Sequence, residues 1–252
     1  MTVTRTAIII GGANGIGKSV CERLAADGYK IMLADLDHGS ARDLVHALPG
    51  DGHQAFATDV TEEAQVESLM DRIEELSPAA ILVVVAGAIF VDPANVPNIA
   101  QFPTAIWDKT FALNITGTFF CVRKFAAQRL ANPLPHTRIV TFASGSGQQA
   151  GDPTGVAYAA TKAAVLGLTR VAAYELAAHD ITVNAVSPGA VGTPVFFKMT
   201  SEEARAALAK GTPMGRFADP REIAAGVSFL VSQDASYVTG TTLDINGGLH
   251  MH

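Results

Sequence analysis

Charged residues, cysteines and long apolar runs are all scarce in this sequence. Charged residues make up 17% of the 252 residues and the formal net charge is −6, so the basic surface that binds nucleic acid is not expected. The two cysteines, Cys21 and Cys121, stand far apart; we interpret them as free thiols in a reducing cytoplasm, with a single disulfide as the alternative. The longest apolar run, Ala79 to Val91, contains Gly87 and is too short to cross a bilayer, so no membrane contact is expected.

The composition predicts one folded domain over residues 1–252. Hydrophobic residues amount to 48%, and no low-complexity tract or linker interrupts the chain. The first residues have no secretory signal pattern, because three isoleucines are followed at once by glycines. The 7 histidines are scattered and no metal-type spacing of Cys and His occurs, so no metal site is predicted. We expect a cytoplasmic globular protein.

Short β-rich runs alternate with longer stretches of helical periodicity along the whole chain. The predicted strands are Thr6–Ile10, Lys30–Ala34, Gln54–Thr58, Ile81–Ala86, Arg138–Phe142, Ile181–Ala185 and Thr241–Ile245. The predicted helices are Lys18–Asp27, about Asp59–Leu76, Trp107–Ala131, Ala157–Ala178, Ser201–Lys210 and Pro220–Ser232. This alternation predicts an α/β fold, a single-domain Rossmann-type doubly wound sheet of about seven parallel strands flanked by helices. Ligands bind beyond the carboxyl ends of such strands, so functional residues are expected just after each strand.

The glycine-rich segment after the first strand fits two phosphate-binding patterns. The spacing of Gly11, Gly15 and Gly17 is typical of the turn that binds a dinucleotide, whereas the segment from Gly12 to Ser19 matches the P-loop of nucleoside triphosphatases. In both, glycines let the backbone approach phosphate oxygens and a helix N-terminus supplies N–H groups. The segment therefore predicts a phosphate site without deciding between the two.

Asp35 ends the second predicted strand, 18 residues after Gly17. In a dinucleotide-binding unit, an acid at about this distance accepts hydrogen bonds from the adenosine ribose hydroxyls. The same acid could hold magnesium in a triphosphatase, or cap the following turn. We favour the ribose role because of the segment described next.

Tyr158 and Lys162 are spaced i, i+4, so both side chains project from one face of a helix. The helix is otherwise rich in alanine, valine and leucine, and a lysine in such surroundings needs a partner or a function. Ser144 lies 14 residues upstream at the end of a predicted strand, and Ser146 is its rival for the same role. A tyrosine, a lysine and a serine at one strand end suit proton transfer to an alcohol or a ketone.

Together these features resemble the short-chain dehydrogenase/reductase family over the whole chain. The matching pieces are the glycine turn, Asp59-Val60, Ala86-Gly87, Leu113-Asn114, Ser144, Tyr158-x-x-x-Lys162, Asn184, and Ser187-Pro188-Gly189 followed by Thr193. The resemblance implies that Lys18 and Ser19 belong to an ordinary helical turn and that the P-loop match is coincidental. It also implies an oxidoreductase that transfers a hydride between NAD(H) and a small secondary alcohol or ketone, and a homotetramer.

The resemblance assigns the site residues. The catalytic set is Asn114, Ser144, Tyr158 and Lys162, with Tyr158 as general acid or base, Ser144 holding the substrate oxygen, Lys162 lowering the tyrosine pKa, and Asn114 anchoring a water. The cofactor-binding set is Gly11, Asn14, Gly15, Ile16, Gly17, Asp35, Asp59, Val60, Ala86, Gly87, Tyr158, Lys162, Pro188, Gly189, Val191 and Thr193. The sequence departs from the family pattern at Ile10, where a threonine is usual, and at Val84 and Val85, where two asparagines are usual. These changes affect local hydrogen bonding and cofactor affinity rather than the hydride chemistry.

Two segments, about 88–98 and 190–215, are expected to form the walls of the substrate pocket. They contain Phe90, Val91, Phe196, Phe197 and Met199, which favour an apolar secondary alcohol. The alternative function on the same fold is a non-catalytic dinucleotide-binding regulator. The complete set of Ser144, Tyr158 and Lys162 argues against it, because a protein that only binds has no use for that set.

Overall fold

The computed structural model describes residues 5–150 and 153–251, and its centre is a seven-stranded sheet in which all strands are parallel. The strands are β1 (Thr6–Ile10), β2 (Lys30–Asp35), β3 (Gln54–Ala57), β4 (Ala79–Val84), β5 (Arg138–Phe142), β6 (Thr182–Pro188) and β7 (Thr242–Ile245). Their order is β3-β2-β1-β4-β5-β6-β7, so the direction of strand addition reverses between β1 and β4. The predicted doubly wound parallel sheet is confirmed, and the switch between β1 and β4 marks where a ligand should bind.

The helices within the described residues lie between the strands. They are α1 (Gly15–Ala26), α2 (His38–Ala47), α3 (Glu63–Leu76), α4 (Thr104–Phe111), α5 (Gly117–Ala131), α6 (Val156–Leu176), α7 (Pro194–Met199), α8 (Glu202–Gly211) and α9 (Pro220–Val231). None of the helices described here is long and apolar enough to cross a membrane.

The central strands are apolar along their whole length because helices cover both faces of the sheet. In β1, Ala7 and Ile9 pack in the core formed with α1, α2 and α9. Ile8 and Ile10 pack on the opposite face, in the core formed with α3, α5 and α6. Alternate residues of one strand thus belong to two separate hydrophobic layers.

The sequence-based prediction gives no bounds for helix α2. Its signal was present, since Ala41, Leu44 and Val45 are buried on one face and the Asp37 carboxylate caps the first turn by accepting from Ser40 N at 3.0 Å. The ten residues also contain Gly39 and several polar residues, which weakened the helical pattern.

The helix predicted over Trp107–Ala131 is not continuous. A π-helical segment at Ala112–Thr116 separates α4 from α5, and Asn114 lies within it. A π-bulge adds one residue to a turn, a change that the 3.6-residue periodicity does not reveal.

Several further boundaries differ from the prediction, among them the following three. The helix expected from Asp59 begins at Glu63, because Asp59 instead forms a tight turn in which its Oδ1 accepts from Thr61 N at 2.9 Å. Strand β4 ends at Val84 rather than at Ala86, and β6 extends to Pro188 rather than ending at Ala185.

Candidate active site

Two glycines allow the loop after β1 to lie against its neighbours. Gly11 has φ +79°, and a Cβ on it would lie 2.6 Å from Ala86 Cα on the adjacent strand end. A Cβ on Gly17 would lie 2.2 Å from Gly11 O, inside the loop itself. Glycine is therefore required at both positions by close backbone approach.

The N-terminus of α1 is open to an anionic ligand. Asn14 occupies the N-cap position but its side chain forms no capping hydrogen bond, and the first turn contains no acidic residue. The first backbone N–H groups of α1 thus keep their capacity to bind phosphate. Lys18 is half-exposed and forms an ion pair with Glu22, at 3.9 Å, one turn further along. This is the ordinary solvated turn expected for the dinucleotide pattern rather than for the P-loop.

Asp35 lies at the carboxyl end of β2 and is tied to the glycine loop. Its Oδ2 accepts from Ala13 N at 2.9 Å, and its Oδ1 accepts from Asp37 N at 3.0 Å. Each oxygen retains a lone pair for a further donor. Among the described residues no ion pair to Asp35 is present; Arg42, on α2, pairs with Asp43 at 3.3 Å.

Lys162 is buried on α6 and points into the same region. Its Nζ donates to Phe142 O at 2.8 Å and lies 5.5 Å from the centroid of the Tyr158 ring. Burial lowers the pKa of the Lys162 ammonium group to about 8, because a charge is costly where water is excluded. The predicted pair of Tyr158 and Lys162 is therefore brought together at the carboxyl end of β5.

Asn114 is fully buried and its amide is held by the backbone of the β4–α4 connection. Its Oδ1 accepts from Ala88 N at 2.9 Å, and its Nδ2 donates to Ala88 O at 3.1 Å. A Cβ on Gly87 would lie 3.2 Å from both Asn114 Oδ1 and Lys162 Nζ. Gly87 thus separates the asparagine carbonyl from the lysine ammonium group, and no larger residue fits there without displacing one of them.

Ser144 and Ser146 share one short 3₁₀ turn, Gly145–Gly147, that follows β5. Ser144 caps the turn, since its Oγ accepts from Ser146 N at 3.3 Å, and the two hydroxyl oxygens are 3.4 Å apart. Ser146 is buried, whereas Ser144 is partly exposed. Both serines line the cavity described below, so the geometry keeps both as candidates for the substrate oxygen.

The turn after β6 places Pro188 and Gly189 beside β7. Gly189 N donates to Ile245 O at 3.2 Å, and a Cβ on Gly189 would lie 3.0 Å from Asn246 Cα. Thr193 caps α7 by accepting from Phe196 N at 3.1 Å, and its methyl group packs against Gly15 of the glycine loop. The predicted cofactor residues of the two loops therefore meet across the switch point of the sheet.

A cavity of about 330 Å³ lies at this carboxyl edge of the sheet. Nine of the residues predicted for the site line it: Ile16, Gly87, Ser144, Tyr158, Lys162, Pro188, Gly189, Val191 and Thr193. The other predicted residues are not among its lining residues: Gly11, Asn14, Gly15, Gly17, Asp35, Asp59, Val60, Ala86 and Asn114.

The outer wall of the cavity is apolar. It consists mainly of Ile89, Pro93, Val195, Phe196, Met199, Leu208 and Leu249. Of the aromatic and aliphatic residues singled out in the sequence, Phe196 and Met199 line the cavity, whereas Phe90 stacks under Lys109 and Phe197 packs on Phe217. The cavity is also lined by Leu249 and by the pair Pro153 and Thr154, which lie outside the expected wall segments and which no local sequence pattern indicates.

The residues that depart from the family pattern, Ile10, Val84 and Val85, make apolar contacts. Ile10 and Val84 are each 1% exposed and belong to one hydrophobic core, and Val85 lines the cavity. The backbone still joins these strand ends, as Val85 N and Ala86 N both donate to Ile10 O at 2.9 Å. Apolar contacts and main-chain hydrogen bonds thus order the strand ends that polar side chains order in the family.

The comparisons with known proteins agree with this geometry. A family profile described as enoyl-(acyl carrier protein) reductase matches residues 11–250. The human (3R)-3-hydroxyacyl-CoA dehydrogenase is 34% identical over 97% of this chain and 95% of its own length. The chain belongs to the short-chain dehydrogenase/reductase family, and it is an oxidoreductase that transfers a hydride between an alcohol or ketone and a nicotinamide nucleotide.

Two solved structures show that the fold accommodates both nicotinamide nucleotides. A 3-oxoacyl-[acyl-carrier protein] reductase from Brucella melitensis with bound NAD has a TM-score of 0.88 and 27% identity, over 98% of this chain and 92% of that one. ElxO with NADP bound has a TM-score of 0.89 and 26% identity, over 98% of this chain and 99% of that one. The fold alone therefore does not determine which of the two nucleotides binds, and the choice depends on the residues of this chain.

Proposed function

We propose that this protein is an NAD-dependent dehydrogenase or reductase of an uncharged secondary alcohol or ketone, with Tyr158 as its general acid and base. The observation that supports this most strongly is the buried Lys162, whose Nζ lies 5.5 Å from the Tyr158 ring beside a cavity that both side chains line. The nicotinamide nucleotide supplies the hydride acceptor or donor. We also propose that the protein is a cytoplasmic homotetramer.

The chain's own residues fit such a nucleotide. The uncapped start of α1 and the glycine loop suit its phosphates, and Asp35 suits the adenosine ribose. Gly87, Pro188, Val191 and Thr193 line the cavity and would hold the nicotinamide ring. Glycines that leave no room for a Cβ and an unused helix N-terminus are the features expected of a site that receives a diphosphate.

Proton transfer follows from the arrangement of Tyr158 and Lys162. A tyrosine with a pKa near 10 is a poor base at neutral pH, and a positive charge beside it favours the phenolate. Lys162 supplies that charge below a pH of about 8, and Phe142 O fixes its position at 2.8 Å. Tyr158 takes the hydroxyl proton during oxidation and returns it to the substrate oxygen during reduction. Ser144 orients that oxygen by a hydrogen bond.

The wall of the cavity supports an uncharged substrate. Lys162 is the sole charged side chain among the lining residues that the structure describes, and its ammonium group is already bound to a backbone carbonyl. A charged group of the substrate placed away from Lys162 would lose its hydration there without gaining a charged partner. The groups flanking the reacting carbon are therefore apolar.

The chemistry is tested with Tyr158→Phe, which removes only the ionisable hydroxyl. We expect turnover of a panel ketone to fall by about 10²–10⁴-fold while NADH still binds in a fluorescence titration. The matched control is Tyr174→Phe, because Tyr174 is on the same helix but 87% exposed. Near-normal turnover by Tyr158→Phe would refute the assigned role.

The nucleotide preference is tested with Asp35. The 2′-phosphate of NADP would meet the Asp35 carboxylate, and no cation pairs with that carboxylate among the described residues. We expect kcat/KM with NAD to exceed that with NADP at least about tenfold, and Asp35→Ala to narrow the ratio. The control is Asp37→Ala, since Asp37 follows the same strand but caps α2. Equal or better efficiency of the wild-type enzyme with NADP would contradict the proposal.

A further inference from the structure

We propose that Gln148 is a positioning residue that holds the turn bearing Ser144 and Ser146 at the correct distance from the substrate oxygen. The inference rests on the proposed function, because it concerns the geometry of the same reaction. Gln148 does not line the cavity, and nothing in the sequence pattern singled it out.

The side-chain amide of Gln148 joins the serine turn to two strands. Its Nε2 donates to Ser187 Oγ at 3.2 Å and to Asp244 Oδ1 at 3.1 Å, which uses both of its hydrogens. Ser187 on β6 and Asp244 on β7 are register partners in the sheet. A single amide thus bridges two strands immediately before Pro188, where the turn toward the nicotinamide side begins.

The serine turn is short and is fixed on its other side as well. Gln148 ends the turn that Ser144 caps, and its backbone N–H donates to Gly145 O at 2.9 Å. A Cβ on Gly147 would lie 2.6 Å from the backbone of Lys162, so the turn rests directly on α6. The serines are therefore held between α6, which presents Tyr158, and the β6–β7 pair, which Gln148 contacts.

The hydrogen-bond directions make this contact specific for a donor at position 148. An ionised aspartate only accepts hydrogen bonds, so Asp244 requires a donor, which the glutamine amide supplies. Ser187 is fully buried, so its hydroxyl also depends on protein partners. Loss of the amide would leave these groups to rearrange, and a shift of about 1 Å in a positioning element lowers turnover strongly.

The test compares Gln148→Leu, which keeps the bulk and removes the donor, with Gln149→Leu as the matched control on the next residue. We expect Gln148→Leu to lower kcat for a ketone about tenfold or more, with the Kd for NADH changed less than twofold, and Gln149→Leu to change neither. Unchanged kcat in Gln148→Leu would overturn the inference. An increase in the Kd for NADH as large as the decrease in kcat would also overturn it. Gln148 would then act through Ser187 on the turn that binds the nucleotide.

A second test exchanges the hydrogen-bond donor and acceptor between positions 148 and 244. Gln148→Glu sets a carboxylate against Asp244 and should lower kcat as well, whereas adding Asp244→Asn restores a donor and an acceptor with their positions exchanged. The double variant should recover kcat to within about threefold of Asp244→Asn alone, a coupling expected of residues that are in contact or in one hydrogen-bond network. A double variant no more active than Gln148→Glu would overturn the inference. An inactive wild-type enzyme would instead refute the proposed function, so the two failures are distinct.

Discussion

Lys162 occupies a position where its charge is costly to the folded protein. Lys162 is 4% exposed, and burial lowers the pKa of its ammonium group from the usual 10.5 to about 8. The one hydrogen bond to Phe142 O does not replace full hydration. Under the proposed function this cost has a use, because the charge lies beside Tyr158, the proposed general acid and base.

The lowered pKa of Lys162 makes the free energy of unfolding depend on pH, and this dependence can be measured without substrate. Below pH 8 the folded state holds the buried charge, and between pH 8 and about 10.5 it releases a proton that the unfolded chain keeps. Stability from this group therefore rises with pH across that window. We expect the unfolding free energy of the wild type to gain roughly 3 kcal/mol relative to Lys162→Met between pH 8 and 10.5.

Urea unfolding at several pH values measures this difference. The comparison with Lys162→Met is repeated in a Tyr158→Phe background, because ionisation of Tyr158 in the same pH window would stabilise the Lys162 ammonium group. A difference that stays constant from pH 7 to pH 10.5 in that background would show that the Lys162 pKa is not lowered.

Local spacing made some site residues predictable and left others hidden. The relation of Tyr158 to Lys162 depends only on helix geometry, so four residues of sequence sufficed. The contact of Asn114 with Ala88 and that of Gln148 with Asp244 join residues 26 and 96 positions apart. Such contacts arise from tertiary packing, which no local pattern contains.

At the scale of elements, α9 has the most elaborate start of any helix described. Asp219 and Glu222 form a capping box: the Asp219 carboxylate accepts from Arg221 N at 2.8 Å, and Glu222 Oε2 accepts from Asp219 N at 2.8 Å. Arg216 binds Glu222 through both guanidinium nitrogens, at 2.7 and 2.8 Å. Helix α9 packs against α1, so this cap supports the helix that begins in the glycine loop.

The α9 cap should stabilise the folded protein less as the pH falls. Hydrogen bonds from Arg221 lower the pKa of Asp219 to about 2, and those from Arg216 lower the pKa of Glu222 to about 2. A depressed carboxyl pKa stabilises the folded state above the unfolded value near 4, and this stability is lost as the pH falls toward 2. Asp219→Ala should therefore lower the melting temperature by a few degrees at pH 7, and by less as the pH falls below about 4.

Calorimetry from pH 7 to pH 3 measures this effect, with Asp51→Ala as the control at an exposed loop position. A deficit in Asp219→Ala that does not shrink in acid would show that the cap acts through something other than its ionised form.

Sequence periodicity predicts the bounds of some helices and strands correctly and those of others wrongly. The predicted bounds of β1 and β5 coincide with the structure, because a short buried strand between breakers leaves little freedom. The start of α1 was placed at Lys18 rather than at Gly15, since glycine has a poor helix propensity. There the fold uses glycine for the close approach of the backbone within the glycine loop, against its low helix propensity.

At the scale of the whole molecule, α5 and α6 leave apolar side chains in contact with solvent. Phe119 on α5 is 40% exposed, and on α6 Val171 is 58% and Tyr174 87% exposed. Gly167 lies on the same stretch of α6, and a Cβ there would meet nothing within 4 Å, so another backbone could approach it. Apolar patches of this kind mark protein interfaces.

We therefore expect a homotetramer of 26.2 kDa chains with closed symmetry, with a dimer as the next possibility. Light scattering at micromolar concentration measures the mass, and a value matching one chain would refute the prediction. Val171→Glu places a charge in the patch and should lower the mass at least by half, because an unpaired charge is not tolerated in an apolar interface. Ile99→Glu is the control, since Ile99 is 74% exposed but lies in the turn before α4 and belongs to neither helix. If both variants keep the wild-type mass, the subunits associate through a surface other than α5 and α6.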